Sequence, residues 1–204
     1  MHESYPPTGD GAIGVGKLYC YLDGIAEINF VGHSMGNIVI RHYLGDMSRQ
    51  QPGKQSAGDA AADRRAVARF HRFVMLAPPN HGARLAETFA DNVVFQGIAG
   101  EVGQQLGRDW PELEKRLATP GFEFAIIAGG KGKAQGYNPL LPGDNDGVIS
   151  VETAKLAGAR DLAVLPVLHS FIMNDAKAQA YVLHFLEHGC FVSESGRRPV
   201  EMLP

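Results

Sequence analysis

The sequence predicts an α/β fold, a mostly parallel sheet with helices on both faces. Three observations carry that expectation. Short, nearly continuous apolar runs recur along the 204 residues: I-N-F-V, F-V-M-L, F-E-F-A-I-I-A and L-A-V-L-P-V-L. A strand with one wet face would alternate apolar and polar positions, so uniform runs suit strands buried on both faces. Between the runs lie stretches with helical spacing, and alternation of strand and helix is the pattern of a parallel sheet. The 45% hydrophobic and 20% charged fractions are those of a globular chain, and its length suits one domain over 1–204.

The elements follow in order. Residues 1–16 are rich in Gly and Pro and read as loop. Lys17 to Ala26 has helix-like spacing, weakened at Gly24. Ile28 to Val31 is a short buried strand with a β-branched residue at each end. Met35 to Asp46 suits a largely buried helix, with Gly45 as its C-terminal cap. Residues 48–66 are polar and read as an exposed excursion. Phe73 to Leu76 is the next strand, closed by the breaker cluster Ala77-Pro78-Pro79-Asn80-His81-Gly82. Ala83 to Leu117 reads as helical, interrupted by Gly97, Gly100, Gly103 and Gly107. Phe122 to Ala128 is another buried strand, followed by Gly129-Gly130 and a polar loop. Leu162 to Leu168 is a further strand, and Pro166 places it near an edge or at its own end. Asp175 to Glu187 closes the chain as a helix.

Several function classes are disfavoured. A formal net charge of −3 argues against a dedicated nucleic-acid binder. Cys20 and Cys190 are far apart and lie in no metal-ligand spacing, so they read as separate thiols. No run reaches the length of a membrane span. The first ten residues lack the charged and apolar regions of a signal peptide, which makes a cytoplasmic location the default. The histidines show no H-E-x-x-H arrangement, and Asp144 with Asp146 is too short for a calcium loop. The glycines at 11, 14 and 16 follow no strand, so a nucleotide reading is weak. No metal or other cofactor is expected.

The chemistry concentrates at Gly32-His33-Ser34-Met35-Gly36, which fits G-x-S-x-G and lies after a strand and before a helix. Such a turn holds a serine hydroxyl clear of both elements, and it is expected to bring the positions two before and two after so close that both must be glycine. The helix start supplies a free N–H at Met35 for an oxyanion. A serine hydroxyl is a poor nucleophile at neutral pH and needs a base oriented by a carboxylate. In an open parallel sheet such groups gather at the carboxyl ends of strands. That rule favours His169 and His81, each just after a strand. It disfavours His71, which precedes its strand, and His42, His184 and His188, which lie on helices. His33 is within the turn, in a position that usually faces away from the serine. The acid is sought in L-P-G-D-N-D-G-V-I-S, from Leu141 to Ser150, which also suits an Asx-rich turn. The order Ser34, Asp146, His169 results.

These motifs, over roughly residues 17–190, resemble the α/β-hydrolase superfamily, and within it the lipase-like esterases. G-H-S-M-G resembles their serine turn, and L-A-P-P-N-H-G-A their segment after the next strand. G-D-N-D-G-V-I-S resembles the acid loop and L-H-S-F-I-M-N-D the histidine loop. The resemblance implies Ser34 as nucleophile, His169 as base and Asp146 as acid, with Asp144 as the alternative acid. It moves His81 to a structural or pocket-lining role. It also implies a cap or lid at about 83–118, where Phe89 and Phe95, together with His33, Pro79 and His81, would line a pocket.

One departure accompanies the resemblance. The superfamily places several strands before the nucleophile, one of them followed by a loop with a second oxyanion donor. Here no convincing strand precedes Ile28, so the chain reads as the C-terminal portion of a longer hydrolase, and any signal peptide would have gone with the missing strands. Loss of one donor would cost on the order of 10²–10³ in rate. The expected activity is hydrolysis of a carboxylic ester with an apolar acyl group. The same three residues would serve an amidase, a thioesterase or an acyltransferase, and a non-catalytic interaction module is the alternative of a different class. The expected partners are a small-molecule or lipid ester, with transient contact at a membrane surface and a protein partner at an exposed sheet edge both left open.

Overall fold

The computed structural model describes residues 25–49, 69–81 and 110–201. The expected helix over most of 17–26, the excursion at 50–66, and the cap segment up to residue 109 with Phe89 and Phe95 lie outside them. Of the expected cap, residues 110–118 are described, and 110–114 of them are helical.

Among the described residues four strands form one sheet in sequence order: β1 (Ile28–His33), β2 (Phe70–Leu76), β3 (Glu123–Gly129) and β4 (Asp161–Leu165). Every neighbouring pair is parallel, with Val31 opposite Val74, Met75 opposite Ile126, and Ala128 opposite Val164. The carboxyl ends of the strands therefore share one edge, and the loops after them meet there.

Besides the helical residues 110–114, the helices among the described residues are α1 (Met35–Arg49), the short α2 (Val151–Ala154) and α3 (Ala176–His188). Alternate residues of the two central strands reach opposite faces. Val74, Leu76, Ala125 and Ile127 pack with Ala178 and Phe185 of α3. Phe73, Met75, Phe124, Ile126 and Ala128 pack with Ala154 of α2, and Ile40 of α1 leans against the same cluster. Because both faces are covered, β2 and β3 must be apolar at successive positions. Helix α3 has a cap at each end: Asp175 accepts from the Ala178 N–H at 2.9 Å, and Gly189 closes it with φ +72°.

Two expectations about element ends are corrected. Strand β4 stops at Leu165, because Pro166 has no N–H to continue the ladder. Gly45 does not cap α1, which continues to Arg49. It is instead buried in the helix, where a Cβ would lie 2.1 Å from the Arg116 carbonyl oxygen. Glycine is there to let the 116–118 segment approach. Gly45→Ala is accordingly expected to destabilise the protein by about 1–3 kcal/mol, although alanine alone would favour the helix by about 1 kcal/mol. Urea denaturation measures the difference.

Candidate functional site

The turn between β1 and α1 carries Ser34 at φ +52°, a conformation that costs a side chain energy and is held by its surroundings. Those surroundings are mostly one residue. Asn37 is fully buried, and its amide Nδ2 donates to the Ser34 carbonyl at 3.0 Å and to the Leu76 carbonyl at 3.1 Å. The Ser34 N–H donates to the same Leu76 carbonyl at 2.9 Å. The serine turn is thus tied to the end of β2.

The glycine pair in the motif works differently from expectation. A Cβ on Gly32 would lie 2.4 Å from Asn37 Oδ1, so Gly32 makes room for the clamp, not for Gly36. A Cβ on Gly36 would meet no described atom within 4 Å. Met35 opens α1, so its N–H has no carbonyl within the helix to bond.

His169 begins the 3₁₀ turn His169–Asn174, three residues after Pro166. It is 6% exposed, and its Nε2 lies 2.9 Å from Ser34 Oγ. Its Nδ1 lies 2.8 Å from Asp146 Oδ2. Its backbone N–H donates to the Asp146 carbonyl at 3.0 Å. Asp146 is 1% exposed, and its Oδ1 accepts from the N–H groups of Val148 at 2.9 Å and Ile149 at 2.6 Å. Each carboxylate oxygen is therefore committed, one to the loop and one to the imidazole. Gly129, at the end of β3, allows that loop to sit so close: a Cβ there would lie 2.6 Å from Asp146 Cβ.

The alternative acid is placed elsewhere. Asp144 accepts from the N–H groups of Lys131 at 2.7 Å and Gly132 at 2.8 Å, which closes the turn after β3. Its carboxylate has a structural task, and the one bonded to His169 is that of Asp146.

The remaining expected residues sort as follows. His81 is exposed, and its N–H donates to the Thr153 carbonyl at 3.2 Å. Pro79 is buried. His33 is half-buried and packs on His169: its Nε2 donates to the His169 carbonyl at 3.1 Å, with the rings 5.0 Å apart. Burial, and next the positive charge that His169 can carry, hold the His33 pKa below the usual value for histidine.

Two residues near the site were missed in the sequence. Arg41 is buried in α1; its Nε donates to the Ala118 carbonyl at 2.9 Å and its Nη1 to Asn80 Oδ1 at 3.0 Å. Desolvation lowers its pKa to about 10, against a raising contribution from Glu114. Asn80 in turn donates to the Ala154 carbonyl at 2.8 Å. Together they hold the segment after β2, where Ala77 takes an unusual φ of +43°. The available signal was a charged residue inside I-V-I-R-H-Y-L, an otherwise apolar helical run.

No helix among the described residues is long and apolar enough to cross a membrane. Residues 16–106 match the model of a family described as "Putative serine esterase (DUF676)". No curated protein matches the chain. Among solved structures, the chain is similar to the mature form of the Bacillus licheniformis lipase BlEst2, at 18% identity and a TM-score of 0.45, over 79% of this chain and 64% of that one. It thus spans less than two thirds of that lipase. The family match covers less than half of the chain, and within it lie β1, the turn with Ser34, α1 and β2.

Proposed function

We propose that the protein is a serine hydrolase that cleaves carboxylic esters with an apolar acyl group, through Ser34, His169 and Asp146. One observation carries the reading: the imidazole of His169 bonds Ser34 Oγ at 2.9 Å and the buried Asp146 carboxylate at 2.8 Å at once. Ser34 Oγ attacks the ester carbonyl carbon as its proton passes to His169 Nε2. The carbonyl oxygen, now negative, receives the Met35 N–H. Collapse of the adduct breaks the bond to the alkoxy oxygen, which leaves as an alcohol with the proton from His169. Water then attacks the acyl-serine, with His169 taking its proton and returning it to Ser34 Oγ as the acid leaves. Asp146 orients the imidazole and stabilises its charged form. The apolar preference is supported by Leu168, Phe171 and Met173, which lie on or beside the histidine turn and are 41%, 60% and 42% exposed.

A fluorophosphonate probe tests the reading. Labelling is expected at Ser34, located by mass spectrometry and absent in Ser34→Ala, with turnover of p-nitrophenyl esters lost in the same variant. Folded protein that neither labels nor turns over these esters would overturn it.

A further inference from the structure

Of the titratable groups at the site, the mechanism uses His169 and Asp146 and leaves His33 without a task. Its place is unusual. His33 and Ser34 are consecutive, and both hold His169: Ser34 Oγ bonds the imidazole at 2.9 Å, and His33 Nε2 bonds the backbone carbonyl of the same residue at 3.1 Å. The two ends of this grip come from opposite sides of the sheet. Ser34 follows β1 and His169 follows β4, the first and last of the four strands among the described residues. Three inter-strand spacings separate them, about 14 Å, so the loop after β4 must reach back across the sheet to the serine. Beyond its ring and its N–H, both tied to Asp146, His169 is joined to the serine turn by these two bonds.

One of the two does not survive the reaction proposed above. When the acyl group is on Ser34 Oγ, that oxygen has lost its proton and its hydroxyl bond to the imidazole. The bond from His33 involves neither reacting atom and persists. We propose that His33 is a positioning residue that keeps His169 registered on the serine turn through the acyl-enzyme stage, when the base must activate water. This rests on the Ser34–His169–Asp146 reading. Neutral His33 serves as the donor through its Nε2–H, and the lowered pKa caused first by burial and then by the His169 charge keeps it in that form. An imidazole that stayed neutral would also place no second positive charge beside the imidazolium of His169.

Two variants separate the hydrogen bond from the ring. His33→Phe keeps a ring against His169 but has no donor. His33→Gln loses the ring but carries an amide N–H at about the reach of Nε2. With a p-nitrophenyl ester in stopped flow, His33→Phe is expected to leave the acylation burst within about threefold of wild type and to slow deacylation about 10–100-fold, as misplacement of a catalytic group by a fraction of an ångström to an ångström does. His33→Gln is expected to stay within about threefold in both steps. Thermal unfolding is measured alongside, because a merely structural role would lower the melting temperature and both rates together. Equal loss in Phe and Gln, loss in Gln alone, equal slowing of both steps in Phe, or wild-type rates in both variants would overturn the proposal. Should Phe fail to fold, His33→Leu takes its place as the donor-free arm. A wild-type protein with no burst and no Ser34 labelling overturns the parent reading instead, and this one with it.

Discussion

Replacing His169 with alanine is expected to lower kcat on a p-nitrophenyl ester by about 10⁴–10⁶, with KM little changed. The loss follows from what the imidazole touches. Ser34 Oγ lies 2.9 Å from Nε2, and in the proposed reaction that nitrogen is the acceptor that allows the hydroxyl to lose its proton as it attacks. Without it the hydroxyl must react as a neutral alcohol. The same ring is the proposed donor to the leaving alcohol, so both halves of the proposed cycle would fail together. The variant has a second expected effect. Asp146 is 1% exposed and would keep two backbone N–H partners but lose its partner on Oδ2. A buried carboxylate oxygen left unpaired costs about 1–3 kcal/mol or more, read as a fall in the urea midpoint. A loss of kcat below tenfold would remove His169 from the mechanism.

Asp146→Asn is expected to lower kcat by about 10⁴ while the fold is retained. The reason lies in which end of the new amide faces the imidazole. Val148 and Ile149 each donate an N–H to Oδ1, so the amide oxygen must take that place and the amide nitrogen must replace Oδ2. The NH₂ group then points at His169 Nδ1 from 2.8 Å and can only donate. Nδ1 must become the acceptor, which moves the ring proton to Nε2. With its proton on Nε2, the imidazole cannot accept from Ser34. The loop bonds and the 3.0 Å bond from the His169 N–H to the Asp146 carbonyl are untouched, so the melting temperature should change little. Fluorophosphonate labelling should slow in step with kcat. A variant with normal kcat would show that the carboxylate only supports the loop. Asp144→Asn is the matched control: its acceptor role toward Lys131 and Gly132 predicts a structural effect on the turn and none comparable on kcat.

The sheet, its parallel sense and the serine turn were legible in the chain because each rests on local pattern. Uniform apolar runs report burial on both faces for β2 and β3, whereas β1, expected as a buried strand, is only partly covered, with Val31 48% exposed; three fixed residues between a strand and a helix report the turn. Boundaries were less legible. Strand β2 starts at Phe70, three residues before the apolar run, because Arg72 is paired with Glu123 at the amino end of β3 and His71 with Glu27. Those polar residues look unlike a strand until their partners are in place. The end of α1 was misplaced for a similar reason. A glycine near a helix end usually marks a cap, and only the approach of the Arg116 carbonyl explains this one inside the helix.

By itself the sequence determined which residues could do chemistry and on which edge they would gather, since both follow from residue type and from the order of strands and turns. Residue pattern alone left His81 open beside His169 and Asp144 beside Asp146, and it was the family resemblance that ranked His169 and Asp146 first. Tertiary structure adds contacts that spacing does not encode: the N–H groups of Lys131 and Gly132 occupy Asp144, and His169 is the imidazole seated between Ser34 and Asp146. It also revealed the Asn37 clamp, the Arg41–Asn80 pair and the hold of His33 on the base. Each of these joins residues at least 39 positions apart, and hydrogen bonds of that range exist only once the sheet has brought the strand ends together.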